Sequence, residues 1–283
     1  MTNPVEKEAE ALPEGAHVAF DKSSLTYGKY LSIEELLSLQ SGVSDQHDEL
    51  LFIIIHQTSE LWMRLMLHEL RAAAKCLQAD QLDPSFKMLA RVSRIQSSLI
   101  DNWSILSTMT PVDYLKFRDK LGPASGFQSH QYRELEYMLG NKREAFLAPF
   151  KHMPQLHSHL EGVLAAPSIY DEAIRVLARR GLPIAPEVLT RDVRLPHQAD
   201  VSVEAAWLEV YRNADRYWDL YELAEKLVDL EDAFQQWRFR HLGTVTRIIG
   251  YKRGTGGTAG VGYLKRALEY CFFPELWSVR TAL

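Results

Sequence analysis

Cysteine is almost missing from this chain: among 283 residues only Cys76 and Cys271 are cysteines, nearly two hundred positions apart. That excludes a disulfide framework, a zinc ribbon and a Cys-x-x-Cys haem attachment, and it suits a reducing cytoplasm. Basic charge is not in excess either, with 32 Lys plus Arg against 37 Asp plus Glu and a formal charge of −5. Nucleic acid and membrane are therefore not expected partners. No uninterrupted apolar run approaches the ~18 residues that a membrane span needs. Internal repeats, Ser/Gly linkers and alternating strand patterns are lacking too. Residues 1–21 carry Glu6, Glu8, Glu10 and Glu14 without a basic cluster ahead of an apolar stretch, so they read as a flexible tail and not a secretory signal. With 46% hydrophobic and 24% charged residues, the remainder, 22–283, can bury a full core and is expected to form one domain.

What the chain has in quantity is helical periodicity. Residues 44–78 contain no Gly or Pro, and Leu51, Ile54, Ile55, Thr58, Leu61, Trp62, Leu65 and Met66 recur at three- and four-residue steps. Asp83-Pro84 and Thr110-Pro111 both read as capped helix starts with proline at the first position. The first opens a helix carrying Leu89, Val92, Ile95, Leu99, Trp103 and Leu106; the second opens a short one that Gly122-Pro123 closes. Further helices fit 128–139, 155–164 and 168–180. Residues 203–242 again lack Gly and Pro, and as one straight helix would measure about 60 Å, against a diameter of about 50 Å for a compact chain of this length. That stretch must bend, break or protrude. The fold class is all-α, with antiparallel helix packing.

Two histidines lie on these apolar stripes. His56 shares a helical face with Phe52, and His241 continues the stripe Leu230, Phe234, Trp237. Each alone reads more readily as a core histidine tied to a carbonyl or carboxylate. Two inward histidines on different long helices, with no carboxylate at ligand spacing beside them, fit haem better than a closed metal cage. His157, His159 and Glu161 offer the spacings of a facial triad, but i and i+2 residues diverge on a helix, so a solvated segment is the simpler account. Residues 245–262 superficially give strand, Gly-x-Gly-x-x-Ala and helix. Only 21 residues follow Gly262, too few for the rest of a dinucleotide-binding sheet. A mobile glycine loop, with Thr255 and Thr258 as hydroxyl donors, is the alternative to an ordinary surface turn. Arg118, one turn after Tyr114, supplies a fork suited to a carboxylate, although it reads equally as an exposed helix turn.

Four segments in order tie these features together: 52–62 (Phe-Ile-Ile-Ile-His-Gln-Thr-Ser-Glu-Leu-Trp), 117–128 (Phe-Arg-Asp-Lys-Leu-Gly-Pro-Ala-Ser-Gly-Phe-Gln), 237–241 (Trp-Arg-Phe-Arg-His) and 250–257 (Gly-Tyr-Lys-Arg-Gly-Thr-Gly-Gly). Together they resemble the tryptophan 2,3-dioxygenase family, in register from about residue 25 to the C-terminus. The resemblance implies a helical-bundle haem protein of the indoleamine/tryptophan dioxygenase type. Its activity would add both atoms of O2 across the indole C2–C3 bond of L-tryptophan to give N-formyl-L-kynurenine. It further implies noncovalent haem b, one per subunit and ferrous when active.

By the same resemblance His241 is the iron ligand and His56 the distal catalytic residue beside the indole N–H. Arg118 holds the substrate carboxylate, and Thr255 contacts its carboxylate and ammonium end. Phe52 and Tyr114 wall the pocket, Ser125 and Gly126 lie close to haem and substrate, and Trp103 lies against the haem. The family is a homotetramer in which the segment bearing Tyr27, Tyr30 and Leu31 helps to close a neighbour's pocket. The related indoleamine dioxygenases lack the distal histidine, so His56 points to the tryptophan branch. A non-catalytic haem carrier and a helical scaffold whose aromatic stripes are only core are the rival readings.

Overall fold

The computed structural model describes residues 25–252, 254, 255, 257 and 260–283. The expectations for the 1–21 tail and for Thr258 lie outside the described residues. Among those described, every regular element is a helix, and the chain divides into compact units between Ser41 and Gly42. In the first unit α1 (Tyr27–Leu31) and α2 (Ile33–Leu37) are joined through Ser32, and the Thr26 side chain caps α1 by accepting from the Lys29 N–H.

The second unit holds α3 (His47–Gln78), α4 (Leu82–Leu106), α5 (Pro111–Arg118), α6 (His130–Leu139), α7 (Pro154–Ala165), α8 (Ile169–Arg179), α9 (Pro186–Leu189), α10 (Val201–Arg212), α11 (Trp218–Ile248), α12 (Val261–Leu268) and α13 (Pro274–Ala282). Its frame is α3, α4 and α11, with α3 and α11 both packed along α4. The turn between α3 and α4 is only three residues long, so the two run antiparallel. Leu70, Ala73 and Leu77 of α3, Leu89 and Val92 of α4, and Leu223, Leu227 and Leu230 of α11 are wholly buried in the main core. Each of the larger of these side chains contributes about 1.5–3 kcal/mol by leaving water. By length and composition α3 would also pass for a membrane-crossing helix. Only 22% of its most apolar 18-residue window is buried, so core packing accounts for a minor part of that apolarity.

Several sequence expectations hold in detail. Thr110 caps α5, its hydroxyl accepting from the Asp113 N–H at 3.3 Å, with Pro111 opening the helix. The helix expected over 168–180 is α8, and the structure adds a reciprocal capping box between Ser168 and Asp171. Asp83 is a correction: α4 starts two residues before Pro84, at Leu82, so Asp83 is an acid in the first turn and not the cap. It still favours the positive helix end. The 203–242 stretch breaks. Asn213 ends α10, its side chain donating to the Glu209 carbonyl at 3.1 Å, and α11 begins at Trp218. Across the break Tyr211 and Tyr221 meet edge to face at 5.3 Å. The segment that superficially read as a strand before the glycine loop is helical to Ile248, as rejection of the nucleotide reading requires.

Two buried glutamates are satisfied by backbone and ring donors. Glu231 on α11 accepts from the Phe272 and Phe273 N–H groups and from Trp277 Nε1, which docks α13. Glu275 on α13, fully buried, accepts from Tyr170 Oη at 2.9 Å, His197 Nε2 at 2.7 Å and the Asp200 N–H at 2.9 Å. Lys142 donates to the carbonyls of Val163, Leu164 and Ala166, the open end of α7. Burial pushes its ammonium down to about 8.

Candidate active site

The site lies at the seam between the main core and a smaller apolar cluster of Ile55, Leu106, Met109, Tyr114, Phe117 and Ile248. Four helices supply its side chains. The i, i+4 spacing on α3 brings Phe52 and His56 together, ring centroids 4.2 Å apart. From α5, Tyr114 and Phe117 close on Phe52 at 6.0 and 5.6 Å. From α4 and α11, Trp103 stacks flat on His241, centroids 4.4 Å apart and planes 9° from parallel. Trp237, one turn before His241, lies 5.7 Å from Trp103 and 5.4 Å from His241. Phe52, His56, Trp103, Trp237 and His241 are only half-buried, whereas Tyr114 and Phe117 are buried.

His56 Nδ1 lies 2.7 Å from the Phe52 carbonyl oxygen. A carbonyl only accepts, so that nitrogen carries the proton and Nε2 is left with its lone pair. Burial lowers the His56 imidazole below its ordinary range, opposed by the Phe52 carbonyl and the Glu60 carboxylate. His241 is pushed down further, to about 4, first by burial and then by the imidazole of His56. Burial thus favours the neutral form of both imidazoles, and His56 lies within electrostatic reach of His241. His241 keeps some accessible surface although protein is dense about its ring, as befits the wall of a recess.

These features fit haem. A neutral imidazole that no described residue hydrogen-bonds is a competent axial ligand. Beside it Trp103 Nε1 is buried without a hydrogen-bond partner, a donor left over for a group other than this chain. No group of three His, Cys, Asp or Glu able to hold a bare metal ion occurs among the described residues. His159, from the triad considered in the sequence, instead pairs with Glu134 at 2.8 Å.

Arg118 sits at the end of α5, one turn from Tyr114 and beside it on the wall of one cavity, with its guanidinium 3.8 Å from the Asp119 carboxylate. Burial pushes the Tyr114 phenol up, and Arg118 opposes the shift. The chain then passes through a short 3-10 turn to Ser125, whose hydroxyl accepts from the Phe127 N–H and whose N–H donates to Gln128 Oε1, both at 3.3 Å. A Cβ on Gly126 would meet nothing within 4 Å, so its backbone faces open space. Thr255 reaches this turn from the glycine loop, its hydroxyl donating to the Ala124 carbonyl at 2.6 Å. Gly260 fixes the far end of the loop: its φ is +56°, and a Cβ there would stand 2.7 Å from the Lys252 oxygen. Arg253, Gly256, Thr258 and Ala259, part of the same loop, are outside the described residues.

The structure therefore groups Phe52, His56, Trp103, Tyr114 and His241, and separately sets Arg118 beside Tyr114 and joins Thr255 to the Ser125–Gly126 turn. Tyr27, Tyr30 and Leu31 lie on α1, in the other compact unit. Two wall residues, Phe117 and Trp237, were not singled out in the sequence. The signals existed, since Trp237 is one turn from His241 and Phe117 one residue from Arg118.

Comparison with known proteins places this geometry in context. The sequence profile of the family described as tryptophan 2,3-dioxygenase matches residues 13–283. The tryptophan 2,3-dioxygenase of a Bacillus cereus strain is 57% identical over 278 residues, covering 98% of this chain and 99% of that protein. That of Geobacillus thermodenitrificans is 56% identical over 272 residues, 96% of this chain and 97% of its own. That of a Burkholderia pseudomallei strain is 57% identical over 276 residues, 98% and 90% respectively.

Proposed function

The chain belongs to the tryptophan 2,3-dioxygenase family, and from that premise we propose that it inserts both atoms of O2 across the indole C2–C3 bond of L-tryptophan. The product is N-formyl-L-kynurenine, and the reaction opens the kynurenine route of tryptophan breakdown. The enzyme is haem-dependent; the finer reading is one noncovalent haem b per subunit, held by His241 and ferrous when active. Bound there, haem supplies an iron with one coordination position open to O2. The observation that carries this reading is the pair of half-buried imidazoles on α11 and α3, one stacked on Trp103 and the other backed by the Phe52 carbonyl.

The chain's own residues divide the remaining work. His56 Nε2, with its lone pair free, accepts the indole N–H and holds the ring in register. It does not strip the proton, because an imidazole of ordinary pKa ~6.5 is far too weak a base for an indole N–H. Phe52 and Tyr114 supply apolar walls and exclude water. Arg118, beside Tyr114, grips the substrate carboxylate through its planar fork. The Thr255 hydroxyl, which donates to Ala124, retains lone pairs for the ammonium, and Ser125 and Gly126 border cofactor and substrate.

A homotetramer, with Tyr27, Tyr30 and Leu31 of one subunit closing a neighbour's pocket, is the proposed assembly. Leu50, Ile54, Leu61 and Trp62 of α3 are exposed, an apolar helix face that a second copy would cover. The two free cysteines suit a cytoplasmic setting. The deciding experiment is purification with haem, a visible spectrum, and anaerobic then aerobic addition of L-tryptophan. A Soret band, formation of N-formyl-L-kynurenine, and loss of the band in His241→Ala support the proposal. A haem band without product favours the carrier reading, and no band at all favours the scaffold.

A further inference from the structure

Beside the clamp lies a cavity of about 230 Å³ between α5 and the C-terminal end of α11. Tyr114 and Arg118 line one side; Arg247, Ile249, Gly250 and Lys252 line the other. It is smaller than the ~300 Å³ at which sites for drug-sized ligands begin, so it suits a head group and not a whole molecule. Arg247 and Lys252 are exposed, and among the described residues neither has a carboxylate partner. Arg118 has the Asp119 carboxylate 3.8 Å away, so the unanswered positive charge at this cavity is that of Arg247 and Lys252, and it calls for an anion.

Cations alone would not attract a zwitterion, because they repel its ammonium nearly as strongly as they draw its carboxylate. The helix end supplies the missing pole. α11 has 31 residues and terminates at this cavity, where its dipole is negative. The N–H groups of Ile249 and Gly250 satisfy only the carbonyls of Val245 and Thr246. Those of Arg247 and Ile248 accept no backbone hydrogen bond from the described residues. Gly250, at φ +68°, turns the chain away and leaves this end open.

We propose that this cavity is an outer station for the charged end of an α-amino acid: Arg247 and Lys252 read the carboxylate, the last α11 carbonyls take the ammonium, and Arg118 is shared with the inner clamp. The inference rests on the proposed tryptophan-oxidising function, because Arg118 and Tyr114 make the station continuous with that pocket. Substrate is recognised as a zwitterion here before its indole reaches Phe52 and His56, and a product with the same head group leaves by the same contacts.

The test uses haem-loaded enzyme and the variants Arg247→Gln and Lys252→Gln, with three probes: L-tryptophan, indole-3-propionate (carboxylate only) and tryptamine (ammonium only). Each variant is expected to weaken binding of the first two by about two- to five-fold, the range for exposed charge pairs, and to strengthen tryptamine by a similar factor. KM for L-tryptophan rises accordingly while kcat holds. The differences shrink at 1 M salt, where the screening length is only ~3 Å. A change of the same sign for all three probes, or no change, overturns the station. Weakened haem binding with unaltered probe affinities also overturns it, by assigning the cations to the cofactor's propionates. A wild-type enzyme that oxidises no tryptophan sinks the proposed function itself, whereas normal turnover with unresponsive variants sinks only this inference.

Discussion

Replacing Arg118 by lysine keeps the positive charge and removes the planar fork, which isolates geometry from electrostatics. The Arg118 side chain is 22% exposed and lines the same cavity as Tyr114, with the Asp119 carboxylate 3.8 Å away. It therefore works in a partly desolvated setting. A lysine ammonium makes a single direct bond to a carboxylate where the fork makes two, and a charge-assisted bond contributes about 1.5–3 kcal/mol. At ~1.36 kcal/mol per decade this predicts a fall in kcat/KM for L-tryptophan of about 10- to 160-fold, with residual solvent access favouring the lower half. Initial rates of product formation at matched haem content measure it, with tryptamine as the internal control. Lacking a carboxylate, tryptamine should lose much less. Near-normal kcat/KM for L-tryptophan in Arg118→Lys refutes the clamp, and an equal loss for tryptamine moves the effect from carboxylate binding to the packing of α5.

Protonating His56 places a hydrogen on Nε2 and abolishes the acceptor, so kcat/KM should fall as pH drops. Because burial lowers this imidazole, the acid limb should lie below ~6.5, and a limb above that value contradicts the assignment. His56→Ala should slow turnover by about 2- to 13-fold, the worth of one hydrogen bond, and improve relative tolerance of a 1-methylated indole; complete inactivity with haem and substrate bound would argue for an obligatory base. Gly260→Ala forces a side chain into left-handed backbone against the Lys252 oxygen, and should raise KM without changing helix content or haem uptake, which circular dichroism and kinetics test together. Glu231→Gln presents an NH2 to one of three donors, leaving it unsatisfied at a cost of about 1–3 kcal/mol, or roughly 2–12 °C in melting temperature. An unaltered melting curve would show that α13 is docked by its apolar contacts alone.

The long helices were legible because their apolar residues repeat at three and four over many turns, and the histidines at 56 and 241 stood out by falling on those stripes. Local chemistry was legible where the cap is short-range, as at Thr110. Asp83 misled because proline tolerates any position of the first turn, so Asp-Pro does not fix which residue is the cap. The break at Asn213 was anticipated in kind and not in place, since no Gly or Pro marks it and the turn depends on Tyr211 meeting Tyr221. Long-range pairings were beyond reach: nothing local to Trp103 announces that it stacks on His241 from another helix, or that Thr255 reaches Ala124. Arg118 is the sharpest case. Its pattern alone reads as an ordinary helix turn, and only its place with Tyr114 on one cavity wall beside the aromatic cluster separates it from a surface arginine.

His241 sits neither in a loop nor at a helix end, since α11 continues almost two turns beyond it. Repositioning that imidazole would mean shifting a rod wedged along α4, whereas the segment around Thr255 hangs from the rod's far tip. On the roles proposed above, the iron ligand and the loop hydroxyl are thereby carried by different elements. Chimeras exchanging the glycine-rich stretch between relatives should inherit the donor's substrate preference while keeping the recipient's reduction potential.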